Sequence, residues 1–239
     1  MDGTEFLAVY EGVVRMGAFA AIFVVMAAWE LFAPARGQSQ PRRRRWTSNL
    51  ALAALNIAVV RLLFPAAAIG IAVAAEAQGA GLLRLSTLPS WVAVIAGVLL
   101  LDLAIYLQHL LFHAIPALWR LHRVHHADPD FDVTTALRFH PIEIVLSMLV
   151  KAVAIFAFGP PVLAVLIFEI VLNGAAVFNH ANVRLSARVE PLVRWLLVTP
   201  DMHRVHHSKD PRETNSNYGF NLSIWDRLFG TYRAQPLLG

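Results

Sequence analysis

The sequence predicts an all-α integral membrane protein with about five transmembrane helices. Of its 239 residues, 57% are hydrophobic and only 15% are charged, whereas about 25% of the residues in an ordinary soluble domain are charged. The apolar residues are gathered in continuous stretches of about the length that crosses a bilayer as a helix. The chain contains no cysteine, which excludes disulfides, thiolate metal ligands and iron–sulfur clusters.

Five apolar stretches account for the predicted spans. They run from about Val13 to Phe32, Leu50 to Ala75, Trp91 to His113, Ile142 to Phe158 and Val162 to Phe178. The first follows acidic residues and not a basic segment, which favours a spanning helix over a cleaved signal peptide. Gly159-Pro160-Pro161 predicts a tight turn between the last two. We expect two parts: residues 1–90, with the first helices and a basic loop, and residues 91–239, with every histidine.

Four consecutive arginines, Arg42 to Arg45, separate the first two stretches. We interpret this run as a solvated or lipid-headgroup-binding loop. Because positive residues accumulate on the cytoplasmic side of a membrane, the loop is predicted to be cytoplasmic, with the N-terminus and the 77–89 loop outside. Alternating spans then place every histidine near the cytoplasmic face. Frequent arginine and alanine suggest a bacterial source, and therefore the inner membrane.

The histidines form the most specific pattern in the chain. All ten lie between His109 and His207, and eight of them form three clusters: His109-x3-His113, His122-x2-His125-His126 and His203-x2-His206-His207. Residues at i, i+3 and i+4 share one face of a helix, so we expect each cluster to direct its imidazoles at one spot. A single histidine on an apolar face is more often a hydrogen-bonded core residue, but three clusters favour metal binding. Eight imidazoles exceed the capacity of one ion and predict two.

Ionisable residues inside the spans are expected to be paired or functional. The candidates for a substrate cavity or for buried polar contacts are Asp102, Tyr106, Lys151, Glu169 and Asn173. Asp102 and Tyr106 share a helical stripe with the first histidine cluster. We expect Lys151 to pair with Glu169 or Asp102 at the inner end of a bundle cavity; the alternative is that these charges extend toward the membrane surface.

The absence of other metal motifs narrows the chemistry. The sequence contains neither the Glu-x-x-His motif of carboxylate-bridged di-iron bundles nor the His-Glu-x-x-His motif of zinc proteases. An all-imidazole donor set leaves the charge of the metal uncompensated. This favours a reduced, ferrous pair that binds dioxygen, although zinc would also fit these donors.

The residues around the clusters resemble the fatty acid hydroxylase / sterol desaturase superfamily of membrane di-iron enzymes. Trp119-Arg120-Leu121 precedes the second cluster as in that family. Further matching segments are Arg138–Glu143, Asn179–Asn182, Thr199–Arg204, Asn217–Phe220 and Ile224–Tyr232. The resemblance covers roughly residues 91–232, more than half of the chain.

This resemblance implies a cap of cytoplasmic, histidine-rich helices over a helical bundle, so that residues 91–239 would be a histidine-box catalytic domain. It also implies two ferrous ions, dioxygen as co-substrate, and electrons from a separate ferredoxin- or cytochrome-type donor. The implied reaction is hydroxylation or desaturation at an unactivated C–H bond of a lipid. Zinc could occupy the site in a purified protein.

The resemblance also implies a set of metal ligands: His109, His113, His122, His125, His126, His180, His203, His206 and His207. His140 could be a further ligand, but its position before a proline favours a supporting role behind the ligands. Asn182 could orient a ligand or a metal-bound water. Asp201 and Asp226 could accept hydrogen bonds from imidazole N–H groups; helix capping is the alternative for both. Tyr106 is expected to line the substrate slot.

The positive charge also bears on partners. With a net charge of +4 spread between apolar segments, we expect no nucleic-acid partner. The basic residues Arg188, Arg194, Arg204 and Lys209 could dock an acidic electron donor, or could instead contact anionic lipid headgroups. An alternative function is a zinc-dependent membrane hydrolase, in which Glu143 would be the base, or a metal-handling membrane protein.

Overall fold

The computed structural model describes residues 3–237, and of residues 3–9 only the helical backbone. Eleven α-helices occupy this range: α1 Gly3–Phe32, α2 Arg42–Leu63, α3 Ala67–Ala77, α4 Ser90–Ala114, α5 Pro116–His126, α6 Pro141–Phe158, α7 Val162–His180, α8 Glu190–Leu196, α9 Pro200–His206, α10 Pro211–Thr214 and α11 Ile224–Leu228. Short 3-10 turns at Leu82–Leu85 and Thr135–Leu137 precede α4 and α6.

Five apolar segments within the described residues are long enough to cross a membrane: Tyr10–Phe32, Arg42–Leu85, Ser90–Ala114, Pro141–Phe158 and Val162–His180. Large apolar side chains on their outer faces are exposed, as Leu62 and Val153 illustrate, which suits contact with lipid and not with water. The prediction of an all-α protein with five long apolar helices is therefore confirmed, and the chain has the character of an integral membrane protein.

The second predicted span differs from the prediction in its shape. We expected one helix over 50–75, but α2 already begins at Arg42, and the helix is interrupted after Leu63. Pro65 has no N–H to continue the hydrogen-bond ladder, and Ala67 adopts a positive φ of 48°. The apolar stretch is consequently divided between α2 and α3.

The interpretation of Arg45 as part of a solvated loop was wrong. Arg45 is only 4% exposed, and its guanidinium donates to Asp128 at 2.7 and 2.9 Å and to Asp132 at 2.5 Å. The two carboxylates come from the loop after α5. The sequence of this loop has no apolar pattern that would predict its packing against α2. Its neighbours Arg43 and Arg44 are exposed, as expected.

Glycine allows close packing at the end of the bundle that lies away from the histidines. Gly159 ends α6 with a left-handed φ of 61°. A Cβ on Gly159 would lie 2.4 Å from the carbonyl oxygen of Ala80, and one on Gly81 would lie 2.1 Å from the amide nitrogen of Gly159. The turn between α6 and α7 can therefore rest directly on the loop that follows α3.

A sharp corner between α4 and α5 begins the histidine end. Ile115 is extended, with φ −98° and ψ 116°, because the residue before a proline disfavours helical backbone. Pro116 then starts α5 at its first position, where no N–H is required. The corner turns α5 back across the end of α4, so that their histidines face each other. The C-terminal end of α7 and the short helix α9 complete this end of the bundle.

Candidate metal centre

Nine imidazoles converge into two groups. The first group contains five, His109, His113, His122, His126 and His206; the second contains four, His125, His180, His203 and His207. In each group, one ring nitrogen per residue lies within 4.8 Å of those of all the others. These nine are the residues that the resemblance in the sequence implied as ligands, and each group could hold one ion.

The expectation that each cluster points at a single spot holds for His109 and His113, but it was wrong for the two clusters of three histidines. His122 and His126 belong to the first group, whereas His125, between them, belongs to the second. In the last cluster His206 joins the first group, while His203 and His207 join the second. Successive helical residues point about 100° apart, whereas residues at i and i+4 differ by only about 40°. The i, i+4 pairs therefore stay together and the third histidine turns to the neighbouring group.

Backbone and side-chain acceptors orient the rings of the first group. Nδ1 of His109 donates to the carbonyl oxygen of Tyr218 at 2.8 Å, and Nδ1 of His206 donates to that of Ser216 at 2.8 Å. Nδ1 of His122 donates to Oε1 of Glu143 at 2.6 Å. Because a neutral imidazole carries one proton, these bonds leave Nε2 of each ring as a lone pair that faces inward.

The second group is oriented in the same way. Nδ1 of His125 donates to the carbonyl oxygen of Arg138 at 3.2 Å, and Nδ1 of His180 donates to that of Ala176 at 2.7 Å. Their Nε2 atoms then face each other at 3.0 Å, and Nε2 of His203 also lies 3.0 Å from that of His180. Lone pairs directed at each other repel, and a cation between them removes the repulsion.

Unpartnered nitrogens support the same conclusion. Among the described residues, no hydrogen-bond partner reaches the buried Nε2 atoms of His113, His126, His206 and His207. In the first group, Nε2 of His109 and Nε2 of His122 are 3.1 Å apart. Buried polar atoms without a partner are rare in proteins and call for an explanation such as an ion. The donor set therefore fits two metal ions.

Burial keeps the histidines of α5 and α9 in the form that binds metal. Desolvation lowers the pKa of each of these imidazoles well below its ordinary value of 6.5, with a further decrease from neighbouring imidazoles. The residues are His122, His125, His126, His203, His206 and His207. At neutral pH these rings are uncharged, as metal coordination requires.

The C-terminal segment after α10 supplies acceptors that sequence reasoning missed. It provides the carbonyl oxygens of Ser216 and Tyr218, and Oδ1 of Asn215 lies 3.4 Å from Nδ1 of His113. The sequence suggested Asp226 as an acceptor for an imidazole N–H, but Asp226 does not contact a histidine. Instead it accepts from the backbone N–H of Tyr218 at 2.7 Å and of Gly219 at 2.8 Å, and so shapes the turn that presents the Tyr218 carbonyl to His109. Burial raises the pKa of Asp226 to about 6.

Glu143 was predicted only as a possible base of a hydrolase. Its carboxylate is buried, 3% exposed, and binds the outer side of the His122 ring. A carboxylate in this position fixes the orientation of an imidazole and makes its other nitrogen a stronger donor to metal. Its position in the first turn of α6, directly after His140-Pro141, could have indicated that it lies near the histidines of α5.

Three other predicted residues lie away from the imidazole groups. His140 is outside both groups, and its Nδ1 caps α6 by accepting from the N–H of Ile142 at 3.1 Å. Asn182 binds the backbone of Arg36 through both ends of its amide, at 3.1 and 2.8 Å. Asp201 pairs with Arg204 in the next turn of α9. Roles for Asn182 and Asp201 in orienting a ligand are not supported by these contacts.

The predicted ion pair inside the spans is confirmed. Nζ of Lys151 lies 2.7 Å from Oε1 of Glu169. Asp102 does not take part: it accepts from Asn221 at 2.7 Å and from Trp225 at 2.8 Å, because the C-terminal segment folds back along α4. Tyr106 is fully buried and bonds to Thr231 at 2.9 Å.

A cavity of about 170 Å³ lies between α4, α6 and α7; we call it the bundle cavity. His109 and His122 line one part of it and Lys151 and Asn173 another, with mainly apolar side chains between them. Tyr106, which we expected to line the substrate slot, is not among its lining residues. The first group of histidines is therefore accessible from inside the bundle.

A second, larger opening reaches the histidines from another direction. This polar pocket has a volume of about 680 Å³ and is lined by His113, His126 and His207 together with Trp119. Its charged lining residues are all basic: Arg123, Arg138 and Lys209. The two histidine groups thus lie between an apolar cavity and a cationic pocket.

Comparison of the sequence with known proteins identifies a family whose members are lipid-modifying enzymes by name. Residues 94–231 match the model of the family described as Fatty acid hydroxylase. The chain is 34% identical to ornithine lipid hydroxylase OlsE of Rhizobium tropici over 60% of its own length and 42% of that protein. It is 37% identical to alkylglycerol monooxygenase of Xenopus tropicalis over 55% of its own length and 28% of that protein. It is 30% identical to cholesterol 25-hydroxylase of Rattus norvegicus over 60% of its own length and 47% of that protein.

The matched segment spans less than half the length of each of these relatives. No solved structure matches the chain. The match to the family model covers more than half of the sequence and includes all nine grouped histidines. The chain belongs to the fatty acid hydroxylase family.

Proposed function

We propose that this protein is a membrane-bound, non-haem di-iron lipid hydroxylase. The observation that carries the proposal is the pair of imidazole groups with inward Nε2 atoms, the first of which opens onto the bundle cavity. All nine grouped histidines, from His109 to His207, are proposed as ligands. When bound, the iron pair would use dioxygen and two electrons to supply the oxidant for a C–H bond.

The residues of the chain would hold the ions and keep water away from the reaction. The backbone carbonyls and Glu143 fix the tautomer of five of these imidazoles, so their orientation is set before an ion binds. The apolar wall of the bundle cavity would place one segment of a lipid beside His109 and His122 and exclude solvent. Hydroxylation is the proposed outcome, and desaturation would require only a second hydrogen abstraction from the adjacent carbon.

The named relatives support a lipid substrate. Ornithine lipid, alkylglycerol and cholesterol are the substrates in their names, and all three join a long apolar part to a polar group. We propose a substrate of this amphiphilic class, which would reach the bundle cavity from the bilayer between the spanning helices.

A separate electron donor of ferredoxin or cytochrome type is part of the proposal. The polar pocket supports it, because Arg123, Arg138 and Lys209 line it without an acidic residue and it reaches His126 and His207. Of the basic residues suggested from sequence, Arg194 and Arg204 are ion-paired with Glu190 and Asp201 and therefore attract an acidic partner less strongly.

Exchanging both Arg123 and Lys209 for Glu should slow reduction by a plant-type ferredoxin several-fold at low salt. The same exchange at exposed Arg44 should not, and equal effects would contradict docking at this pocket.

We further propose the bacterial inner membrane, with the histidines at the cytoplasmic face. The exposed Arg43, Arg44, Arg123 and Lys209 lie at the same end of the bundle as the histidines, as the positive-inside rule would require. Because the chain has no cysteine, single cysteines at positions 44 and 86 can be labelled from either side of the membrane. Labelling of position 44 from the outside would contradict this orientation.

The decisive test is metal content together with turnover. Protein purified anaerobically in mild detergent should bind about two ferrous ions per chain and should then consume oxygen with a lipid extract. His109→Ala should lower both the iron content and the oxygen consumption. His140→Ala is the matched control, because this histidine lies outside both groups, and it should retain both ions.

Two results would favour the zinc hydrolase instead. One is zinc that ferrous iron cannot displace; the other is lipid turnover that continues without oxygen. Comparison of lipids from cells with and without the gene would then identify the substrate: a product heavier by one oxygen supports hydroxylation, and one lighter by two hydrogens supports desaturation.

A further inference from the structure

The bundle cavity contains further polar groups besides Glu143, which binds His122. Glu143, Ser147 and Lys151 follow one another at i, i+4 and i+8 on α6, and all three line the cavity. Glu143 contacts His122, so Lys151 lies about 12 Å farther along the helix axis. Gln108 of α4 faces the same cavity. A polar stripe therefore leads from the first histidine group into the bundle.

These groups have unused hydrogen-bonding capacity. Nε2 of Gln108 lies 2.7 Å from Oγ of Ser147, and Oε1 of Gln108 is buried with no partner in the described part of the chain. Whichever way the amide is turned, one of its ends is unsatisfied. Of the three N–H donors of Lys151, one is directed at Glu169. A buried polar atom without a partner, such as Oε1 of Gln108, is normally satisfied by a ligand or by water.

The charges at this end of the cavity are already balanced. Glu169 lies 2.7 Å from Lys151 and 3.3 Å from Arg15, and Arg15 lies 2.9 Å from Glu11. Two cations thus face two carboxylates. A carboxylate brought in by a ligand would add an unmatched negative charge to an environment of low dielectric constant, whereas a hydroxyl, amide or ester carbonyl would add none.

We propose that Gln108, Ser147 and Lys151 bind a neutral hydrogen-bonding group of the lipid substrate inside the bundle. The bound group would be a hydroxyl, an amide or an ester, and it would fix which carbon lies beside His109 and His122. The cavity, at about 170 Å³, holds only this part of a lipid, and the remaining chain extends between the helices. The inference rests on the proposed function for the reaction, but the binding itself does not require iron.

The test measures equilibrium binding to the metal-free full chain in detergent. Three probes differ in their polar group: 1-O-hexadecylglycerol is neutral and polar, hexadecanoate is charged, and hexadecane has no polar group. The wild type should bind the glycerol ether at least fivefold more tightly than either of the others. Gln108→Leu combined with Ser147→Ala should remove most of this preference, since each hydrogen bond contributes roughly a fivefold effect.

Leu149→Ala is the matched control, because Leu149 lies on the outer face of α6 and is 47% exposed. It should leave the preference unchanged. Tighter binding of hexadecanoate, or an equal preference in the double variant and the control, would overturn the proposal. If the double variant does not fold, Ser147→Ala alone provides the same comparison with a smaller expected change.

The iron-loaded protein separates this inference from the proposed function. If binding follows the predicted order but neither the probes nor a lipid extract increases oxygen consumption, the proposed hydroxylase function fails and the binding site stands. If oxygen consumption occurs with all three probes at similar KM, the hydroxylase stands and the polar stripe is not a recognition site.

Discussion

His126 and His207 stack on each other with ring centroids 4.4 Å apart and ring planes 18° apart, although they belong to different imidazole groups. Of the nine grouped histidines, these two are half-buried, whereas the other seven are buried. The two rings therefore lie side by side where the two imidazole groups meet, and both line the polar pocket. On the proposed function, an electron donor at that pocket would meet one ring of each group there.

Metal content should follow the spatial groups and not the sequence clusters. Replacing His122 and His126 by Ala should remove about one of two ions, and so should replacing His203 and His207. Replacing His122 and His125, which are adjacent in one cluster but lie in different groups, should weaken both. Elemental analysis of the three double variants after ferrous reconstitution distinguishes these patterns. An equal loss in all three would contradict the division into five and four.

Glu143→Gln should weaken metal binding about 10- to 100-fold, the usual cost of removing a carboxylate behind a ligating imidazole. The amide can still accept a hydrogen bond from His122, so the fold should persist. Competition with a chelator measures the change. Asp201→Asn is the control, because Asp201 pairs with Arg204 and not with a histidine. A similar loss in both variants would mean that Glu143 does not act through His122.

Arg45→Met should destabilise the protein by about 3–5 kcal/mol, because it leaves the buried carboxylates of Asp128 and Asp132 without their cation. Arg44→Met, its exposed neighbour in the same run, should change stability by less than about 0.5 kcal/mol. Denaturant unfolding in detergent compares the two variants. Similar values would show that the Arg45 contacts contribute little.

The metal-free protein should lose stability as the pH falls from about 7 to about 5. Burial lowers the pKa of the α5 and α9 histidines below 6.5 in the folded state. Below 6.5 the unfolded chain therefore binds protons that the folded chain does not, and unfolding is favoured. The stability is fully present above the unfolded pKa. Thermal unfolding at pH 7.5 and 5.5 measures this, and an unchanged or higher Tm at pH 5.5 would contradict it.

Several features could be predicted from the sequence because they depend on local pattern. The length and continuity of the apolar stretches specified five spans. The i, i+4 spacing predicted which histidines of a cluster lie together, and the resemblance of the sequence to the family indicated His180 as a further ligand. The cost of isolated charges in the bundle predicted that Lys151 is paired with Glu169 or Asp102, and the structure has Glu169. Apart from the assignment of His180, each of these inferences uses only helix geometry and the preference of apolar groups for lipid.

Other features depend on where distant segments meet. Arg45 is in an arginine run typical of a solvated loop, and only its approach to Asp128, 83 positions away, makes it a buried residue. Asp226 looked like a candidate acceptor for a histidine, yet the fold uses it to shape the turn at Tyr218.

By itself, the sequence determined which segments are long and apolar enough to cross a membrane and which imidazoles are available for metal. The tertiary structure decided how those imidazoles divide into five and four and which atoms hold their rings. The physical reason is that the direction of a side chain depends on the crossing of its helix with others. The acceptors behind His109, His125, His180 and His206 are backbone carbonyls, which every residue possesses and no sequence pattern marks.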